Sequence, residues 1–235
     1  MRANLAMASL ILPFIERINC NVRHALGTPP RKNRRLLANR AVIHVGARCY
    51  SLIEVVDGRR YVKKVFIRGI DGRRSYANER LARTEFAGHD WLTPCIELGR
   101  NWCLQNWIMC PMYPPETRLD RVAFSLSRPE RRRIAGQAVA IIYEIYRRGF
   151  AHRDFHSRNL FYIEGRLKLI DFETLTALPN KCRPPFVESY DITGSGLESP
   201  YMTGHMCYGS RIPYSVSNVL GIEIAEAIDS YCNCA

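Results

Sequence analysis

Nothing in the 235 residues repeats at a solenoid period, which excludes a stacked-repeat architecture. A disulfide framework is also missing. The nine cysteines (Cys20, Cys49, Cys95, Cys103, Cys110, Cys182, Cys207, Cys232 and Cys234) are odd in number and scattered, the pattern of reduced, mostly structural thiols. Only Cys232 and Cys234 stand close together, and two ligands cannot close a zinc site. Acidic residues are in deficit, 22 Asp and Glu against 34 Lys and Arg, for a formal charge of +12. Such a surface attracts anions without choosing among nucleotide phosphates, nucleic acid, anionic lipid and phosphorylated sugars. No zinc-finger, recognition-helix or RNA-binding aromatic pattern accompanies the charge, so basicity alone does not make a nucleic-acid reader. The opening apolar stretch, Ala3 to Ile15, is interrupted by Asn4, Ser9 and Pro13, lacks a clear small-x-small cleavage site and is too short to span a bilayer. It reads as an amphipathic anchor or a core-packing helix.

What is present is the composition of an ordinary globular protein, 47% hydrophobic and 24% charged, long enough for one or two domains. Gly27 to Arg40, with Pro29, Pro30 and a cluster of arginines and lysine, reads as a linker or exposed arm, so residues 1–40 stand apart from the folded core. Strand-like runs follow at Ala41 to Val45, Tyr50 to Val56 and Tyr61 to Ile67, the last two joined by Asp57-Gly58, a strong hairpin signal. Helical spacing over Ser75 to Ala87 ends before Gly88. Further strands are expected near Ile96 to Leu98 and Trp102 to Met109. The proline-rich Pro111 to Pro115 then marks a boundary and candidate hinge. Ser127-Arg128-Pro129-Glu130 is a capping-box start for a helix running through Ile134, Val139, Ile141, Ile142 and Ile145 to Gly149.

That helix delivers the chain to Gly149 to Glu173, which carries the strongest functional signal. A β-leaning run, Arg166 to Ile170, brings Asp171 to a strand end, and a short loop from His152 to Asn159 lies just upstream. Two aspartates and an asparagine so spaced suit phosphoryl transfer, whose charged transition state is served by carboxylate-held magnesium and one further carboxylate aimed at the attacking hydroxyl.

His152, Arg153, Asp154 and Asn159 match the H-R-D-x-x-x-x-N catalytic loop, and Asp171-Phe172-Glu173 stands where D-F-G would follow, with Glu for Gly. On these residues the chain resembles the protein-kinase-like phosphotransferase superfamily. It is closest in flavour to the small lipopolysaccharide-kinase and aminoglycoside-phosphotransferase-like enzymes. The resemblance, covering residues 41 to about 175, implies an α+β two-lobed fold. A small antiparallel-sheet N-lobe with one helix (41–110) would bind nucleotide, and a mainly helical C-lobe (111–235) would carry the catalytic loop and metal site. It implies Asp154 as the residue that accepts or orients the substrate proton, Asn159 and Asp171 as Mg2+ ligands, and His152 as structural.

A phosphate-holding lysine is expected on the third strand, where Lys63 and Lys64 compete; the facing argument, with Val62 beside it, favours Lys64. Glu79, two turns before Phe86, is the expected acidic partner, against its reading as a solvated carboxylate beside Arg80 and Arg83. The glycine-rich phosphate loop is absent. Gly46 is the single glycine between the first two strands, read either as a phosphate-capping amide or as a plain turn.

His156 replaces the lysine usual in serine/threonine kinases, and is read either as a stabiliser of the transferred phosphoryl group or as a packed histidine. No A-P-E follows Glu173; Pro184-Pro185 and Tyr190 to Gly194 lead away, with Asp191 read as a turn aspartate. The expectation is an ATP- and Mg2+-dependent kinase acting on a hydroxyl of a sugar, lipopolysaccharide core or other small molecule. An atypical serine/threonine protein kinase is the alternative. From another class, a nucleotide-binding pseudokinase or a basic nucleic-acid-binding module stays open. Use of ATP implies the cytoplasm, with membrane-surface contact through the basic N-terminal region as the alternative.

Overall fold

The computed structural model describes residues 42–101, 104–177 and 213–232. The N-terminal segment and basic arm, Trp102 and Cys103, Pro184-Pro185, the Tyr190 to Gly194 turn and Cys234 lie outside the described residues. The chain is mixed α+β and divides into two compact units, one of residues up to Ala77 together with Pro94–Met112, the other of Asn78–Thr93 and the residues from Tyr113 onward.

The first unit is built on a five-stranded antiparallel sheet of order β1-β2-β3-β5-β4. Its strands are β1 (Val42–Val45), β2 (Cys49–Val56), β3 (Arg59–Phe66), β4 (Glu97–Arg100) and β5 (Asn106–Pro111). Asp57 and Gly58 both take positive φ, 50° and 75°, the backbone a two-residue turn needs to match the strand twist between β2 and β3. Alternation then separates two apolar clusters. Tyr50, Val65, Trp107 and Met109 lie on one face, while Cys49, Phe66 and Ile108 share the other with Tyr76 of the following helix.

Two boundaries depart furthest from expectation. β5 begins at Asn106: just before it the Asn101 N–H donates to the Gln105 carbonyl (2.9 Å) and Leu104 takes φ 59°. The helix begins at Ile70 (Ile70–Glu85), five residues before its apolar spacing becomes visible, since its first turns carry Asp71, Arg73 and Arg74 with no buried stripe. Gly72 explains how this start fits under β3: a Cβ there would lie 2.0 Å from the Ile67 carbonyl oxygen. Gly72→Ala is therefore expected to lower stability by about 1–3 kcal/mol, the range of overpacked sites, read as a reduced urea midpoint.

The second unit is mainly helical. Ser127 caps the helix Arg128–Arg147 with a complete capping box: its side chain accepts from the Glu130 N–H while the Glu130 carboxylate accepts from the Ser127 N–H at 2.9 Å. Ile134, Ala138, Ile141, Ile142 and Ile145 form the helix's buried stripe, and Gly149, φ 90°, ends the following turn. This stripe packs into one core with Phe86, Trp91, Leu119, Phe155, Leu167, Phe172, Val216 and Leu220. Short helices at Leu119–Val122, Val216–Leu220 and Ile224–Cys232 complete the layer. Two small antiparallel ribbons pair β6 (Phe150–Ala151) with β9 (Thr176–Ala177), and β7 (Leu160–Ile163) with β8 (Arg166–Leu169). Gln137, on the long helix, bridges the β7–β8 turn: its Nε2 donates to the Gly165 carbonyl and its Oε1 accepts from the Leu167 N–H, each at 2.9 Å. The chain changes unit after Ala77, after Thr93 and last between Met112 and Tyr113, inside the proline-rich stretch. No helix among the described residues is long and apolar enough to cross a membrane.

Candidate active site

The β7–β8 register organises the second unit's polar centre. Leu160 pairs with Leu169, so Asn159 faces Ile170, and the Ile170 N–H donates to the Asn159 carbonyl at 3.0 Å. Asn159 and Asp171 are thereby held at the open end of one short ribbon. From the other side, the Asn159 amide reaches back to the loop, donating to the Asp154 carbonyl (2.9 Å) and to Asp154 Oδ2 (3.1 Å). Asp154 Oδ1 meets His156 Nε2 at 3.2 Å. Both carboxylate oxygens thus have a donor, while the Asp154 side chain keeps 33% exposure, enough to meet a substrate.

The His156 tautomer follows from its contacts. Nδ1 accepts from the Arg158 N–H (3.2 Å), capping the 3-10 turn Ser157–Asn159, which leaves Nε2 to carry the proton and donate to Asp154. The ring is buried edge-on against Tyr214. The ring is thus both packed and in contact with the Asp154 carboxylate.

His152 is more deeply enclosed, 4% exposed, with edge-to-face contacts to Phe172 (4.8 Å) and Phe155 (6.2 Å). Its Nδ1 accepts from the Asp154 N–H, and its carbonyl accepts from Thr174 Oγ1 at 2.7 Å. Burial pushes its pKa below 6.5, outweighing the opposing pull of the Asp154, Asp171 and Glu79 carboxylates. The folded protein keeps this ring neutral while the unfolded chain takes up a proton near pH 6.5. Its contribution is therefore complete above pH 6.5 and is lost as pH falls below it, by at most about 1.4 kcal/mol per pH unit. In His152→Phe, the fall in thermal midpoint between about pH 6.5 and 5 should be shallower than in the native chain.

Arg153 and Asp171 take left-handed backbone, φ 61° and 68°, conformations that cost a non-glycine residue about 1 kcal/mol or more and gather at functional sites. Glu79 is 1% exposed, so it is not a solvated helix carboxylate; Arg83 Nη1 donates to its Oε2 at 2.6 Å and to its carbonyl at 2.7 Å.

In the first unit, Lys63 and Lys64 occupy opposite sheet faces. Lys63 pairs with Glu54 (2.9 Å) and lies 4.0 Å over the Trp107 ring, while Lys64 is on the face that carries Phe66, Ile108 and Tyr76. The Gly46 N–H donates to the Cys49 carbonyl at 2.8 Å, closing the β1–β2 turn. That amide is the hairpin's own donor.

No protein-family model and no curated protein matches the chain. Among the described residues, no group of three or more His, Cys, Asp and Glu is arranged to hold a metal ion. Asn159 and Asp171 supply hard oxygen donors of the kind Mg2+ takes in ones and twos, with water and phosphate completing its shell.

Sequence reasoning missed Tyr214, whose carbonyl accepts from the Ser157 N–H (3.1 Å) and hydroxyl (2.6 Å), and whose ring lies 4.5 Å under the Arg158 guanidinium. It also missed Asn78, whose Nδ2 donates to the Glu173 carbonyl at 2.7 Å. No local signal marks either, since their partners are 57 and 95 residues away.

Proposed function

We propose that the chain is an ATP- and Mg2+-dependent kinase of the two-lobed protein-kinase-like fold, transferring the γ-phosphoryl group to a hydroxyl of a sugar, lipopolysaccharide core or other small molecule. One observation carries the reading. Asn159 hydrogen-bonds Asp154 through both its carbonyl and its carboxylate, and is itself tied through Ile170 to the strand end that presents Asp171. Three residues of a phosphoryl-transfer constellation therefore belong to one hydrogen-bonded frame.

Asp154 accepts or orients the proton of the acceptor hydroxyl, and His156 holds its carboxylate through Oδ1. Asn159, whose Nδ2 is engaged by Asp154, presents Oδ1 as a metal ligand alongside the Asp171 carboxylate. Bound magnesium would neutralise phosphate charge as the bond to the leaving group loosens. Lys64 is the residue assigned to the nucleotide phosphates, and buried Glu79 the acidic member of the constellation. The acceptor class rests on Glu173 in place of glycine, His156 in place of lysine and the missing A-P-E.

The test is transfer from labelled ATP with magnesium to a panel of sugars, lipopolysaccharide fragments and basic proteins. The native chain should label a hydroxyl-bearing small molecule or glycolipid, and Asp154→Asn should cut the rate by about a hundredfold or more while ATP still binds. Labelling of basic protein alone would assign a protein acceptor. Unchanged labelling in Asp154→Asn would overturn the role of Asp154.

A further inference from the structure

The 3-10 turn Ser157–Asn159 is held by a residue 57 positions away in sequence. The Tyr214 carbonyl accepts from both the Ser157 N–H (3.1 Å) and the Ser157 hydroxyl (2.6 Å), and Ser157 is fully buried. A carbonyl oxygen has two lone pairs, and here one residue takes both. The Tyr214 ring meets the residues on either side: His156 packs edge-to-face, centroids 4.9 Å apart at 80°, and the Arg158 guanidinium carbon lies 4.5 Å from the ring centroid. His156, Ser157 and Arg158 therefore all rest on one tyrosine.

That tyrosine is itself fixed. It immediately precedes Ser215, whose side chain accepts from the Asn218 N–H at 3.2 Å and caps the helix Val216–Leu220. Val216 and Leu220 are fully buried in the second unit's core, and Arg131 of the long helix donates through Nη1 to the Leu220 carbonyl at 3.2 Å. The helix that carries Tyr214 is thus anchored along its length.

His156 and Asn159 are the two side chains that hold the Asp154 carboxylate, at Oδ1 (3.2 Å) and Oδ2 (3.1 Å) respectively. His156 caps the turn and Asn159 is its last residue. A shift of the turn would displace both supports of Asp154 together with the Asn159 oxygen assigned to Mg2+. A misplacement of about 1 Å can cost a reaction about a hundredfold.

We propose that Tyr214 is a positioning residue for phosphoryl transfer: its ring fixes the His156 imidazole and its carbonyl fixes the Ser157–Asn159 turn, so that Asp154 and Asn159 keep one relative placement. The inference rests on the roles given to Asp154 and Asn159 under the proposed function. Tyr214 acts through His156 and Ser157 and is assigned no contact of its own with substrate.

Two measurements on the full chain separate this role from the kinase reading. The first needs no substrate: side-chain 15N spectra of neutral His156, assigned by their loss in His156→Gln, report its tautomer. The native ring should show the Nε2–H form and Tyr214→Leu a mixture of both forms. Tyr214→Phe, which keeps the ring and the carbonyl, should restore the native pattern. The second is transfer from labelled magnesium-ATP to the same panel of sugars, lipopolysaccharide fragments and basic proteins. Tyr214→Leu should lower kcat about tenfold to a hundredfold with KM for ATP within about twofold, and Tyr214→Phe should recover most of the loss. Ser157→Ala removes one of the two bonds to the Tyr214 carbonyl; it should lower kcat about threefold to tenfold and admix the second tautomer, and it decides the matter if Tyr214→Leu does not fold. If the native chain transfers nothing, the kinase reading fails and the 15N spectra alone decide whether Tyr214 fixes the pair. An unchanged tautomer in the folded variants, a kcat loss that phenylalanine does not recover, a loss confined to KM, or undiminished kcat would overturn the proposal.

Discussion

Asp171→Ala is expected to abolish magnesium-dependent phosphoryl transfer, a loss of at least about a thousandfold in kcat, since it removes the carboxylate proposed to hold the cation that neutralises phosphate charge. The backbone complicates the reading of alanine alone. Asp171 sits at φ 68°, where aspartate and asparagine are tolerated better than alanine, so Asp171→Ala adds strain to the loss of the ligand. Asp171→Asn separates the two effects: it keeps a residue suited to left-handed backbone and removes the negative charge. It should retain the native thermal midpoint within a few degrees and still lose transfer. Full activity in either variant would refute the metal role, and a large stability loss confined to Asp171→Ala would measure the strain.

The largest effect on stability is expected at the neighbouring position. Phe172 is fully buried, with its ring centroid 4.8 Å from that of His152, 6.3 Å from that of Phe86 and 6.4 Å from that of Trp91. Truncation to alanine removes the ring from the middle of this cluster and should cost about 3–5 kcal/mol, with Phe172→Leu costing less because much of the volume is kept. Chemical denaturation of the two variants gives the comparison. A loss below about 1 kcal/mol in Phe172→Ala would mean that the cluster collapses around the gap or that the ring is not packed as described. The same ring supports His152, whose Nδ1 fixes the Asp154 amide, so both substitutions act on one assembly from opposite sides.

How much of this was legible in the sequence depended on whether the deciding partner was local. The Asp57-Gly58 hairpin and the Ser127 capping box are short-range devices whose residue types state their own geometry, and both occur where the sequence places them. The start of the Ile70–Glu85 helix was hidden because residues 70–74 offer no apolar period; its placement follows from the close approach at Gly72. Of the strand expected near Trp102 to Met109, the described part begins at Asn106, and the hydrogen bonds between Asn101 and Gln105 that precede it leave no mark in an apolar run. In the site, the motif spacing named Asp154, Asn159 and Asp171. It could not show that Asn159 holds both the carbonyl and the carboxylate of Asp154, nor that Glu79, flanked by arginine at position 80, would be buried. Those facts depend on packing between residues far apart in sequence.

The Gln137 bridge bears on how the β7–β8 ribbon is held in place. A strand slip of one residue in the β7–β8 ribbon would turn Leu167 and Leu169 away from the core and send Asp171 to the wrong side of its partner. The side-chain amide of Gln137 fixes the turn that joins the two strands, holding the Gly165 carbonyl and the Leu167 N–H together. The long helix is thus a template as well as a packing surface. The β7–β8 turn is thereby tied to the helix as well as to its own strand pairing, and with it the ribbon end that carries Asn159 and Asp171.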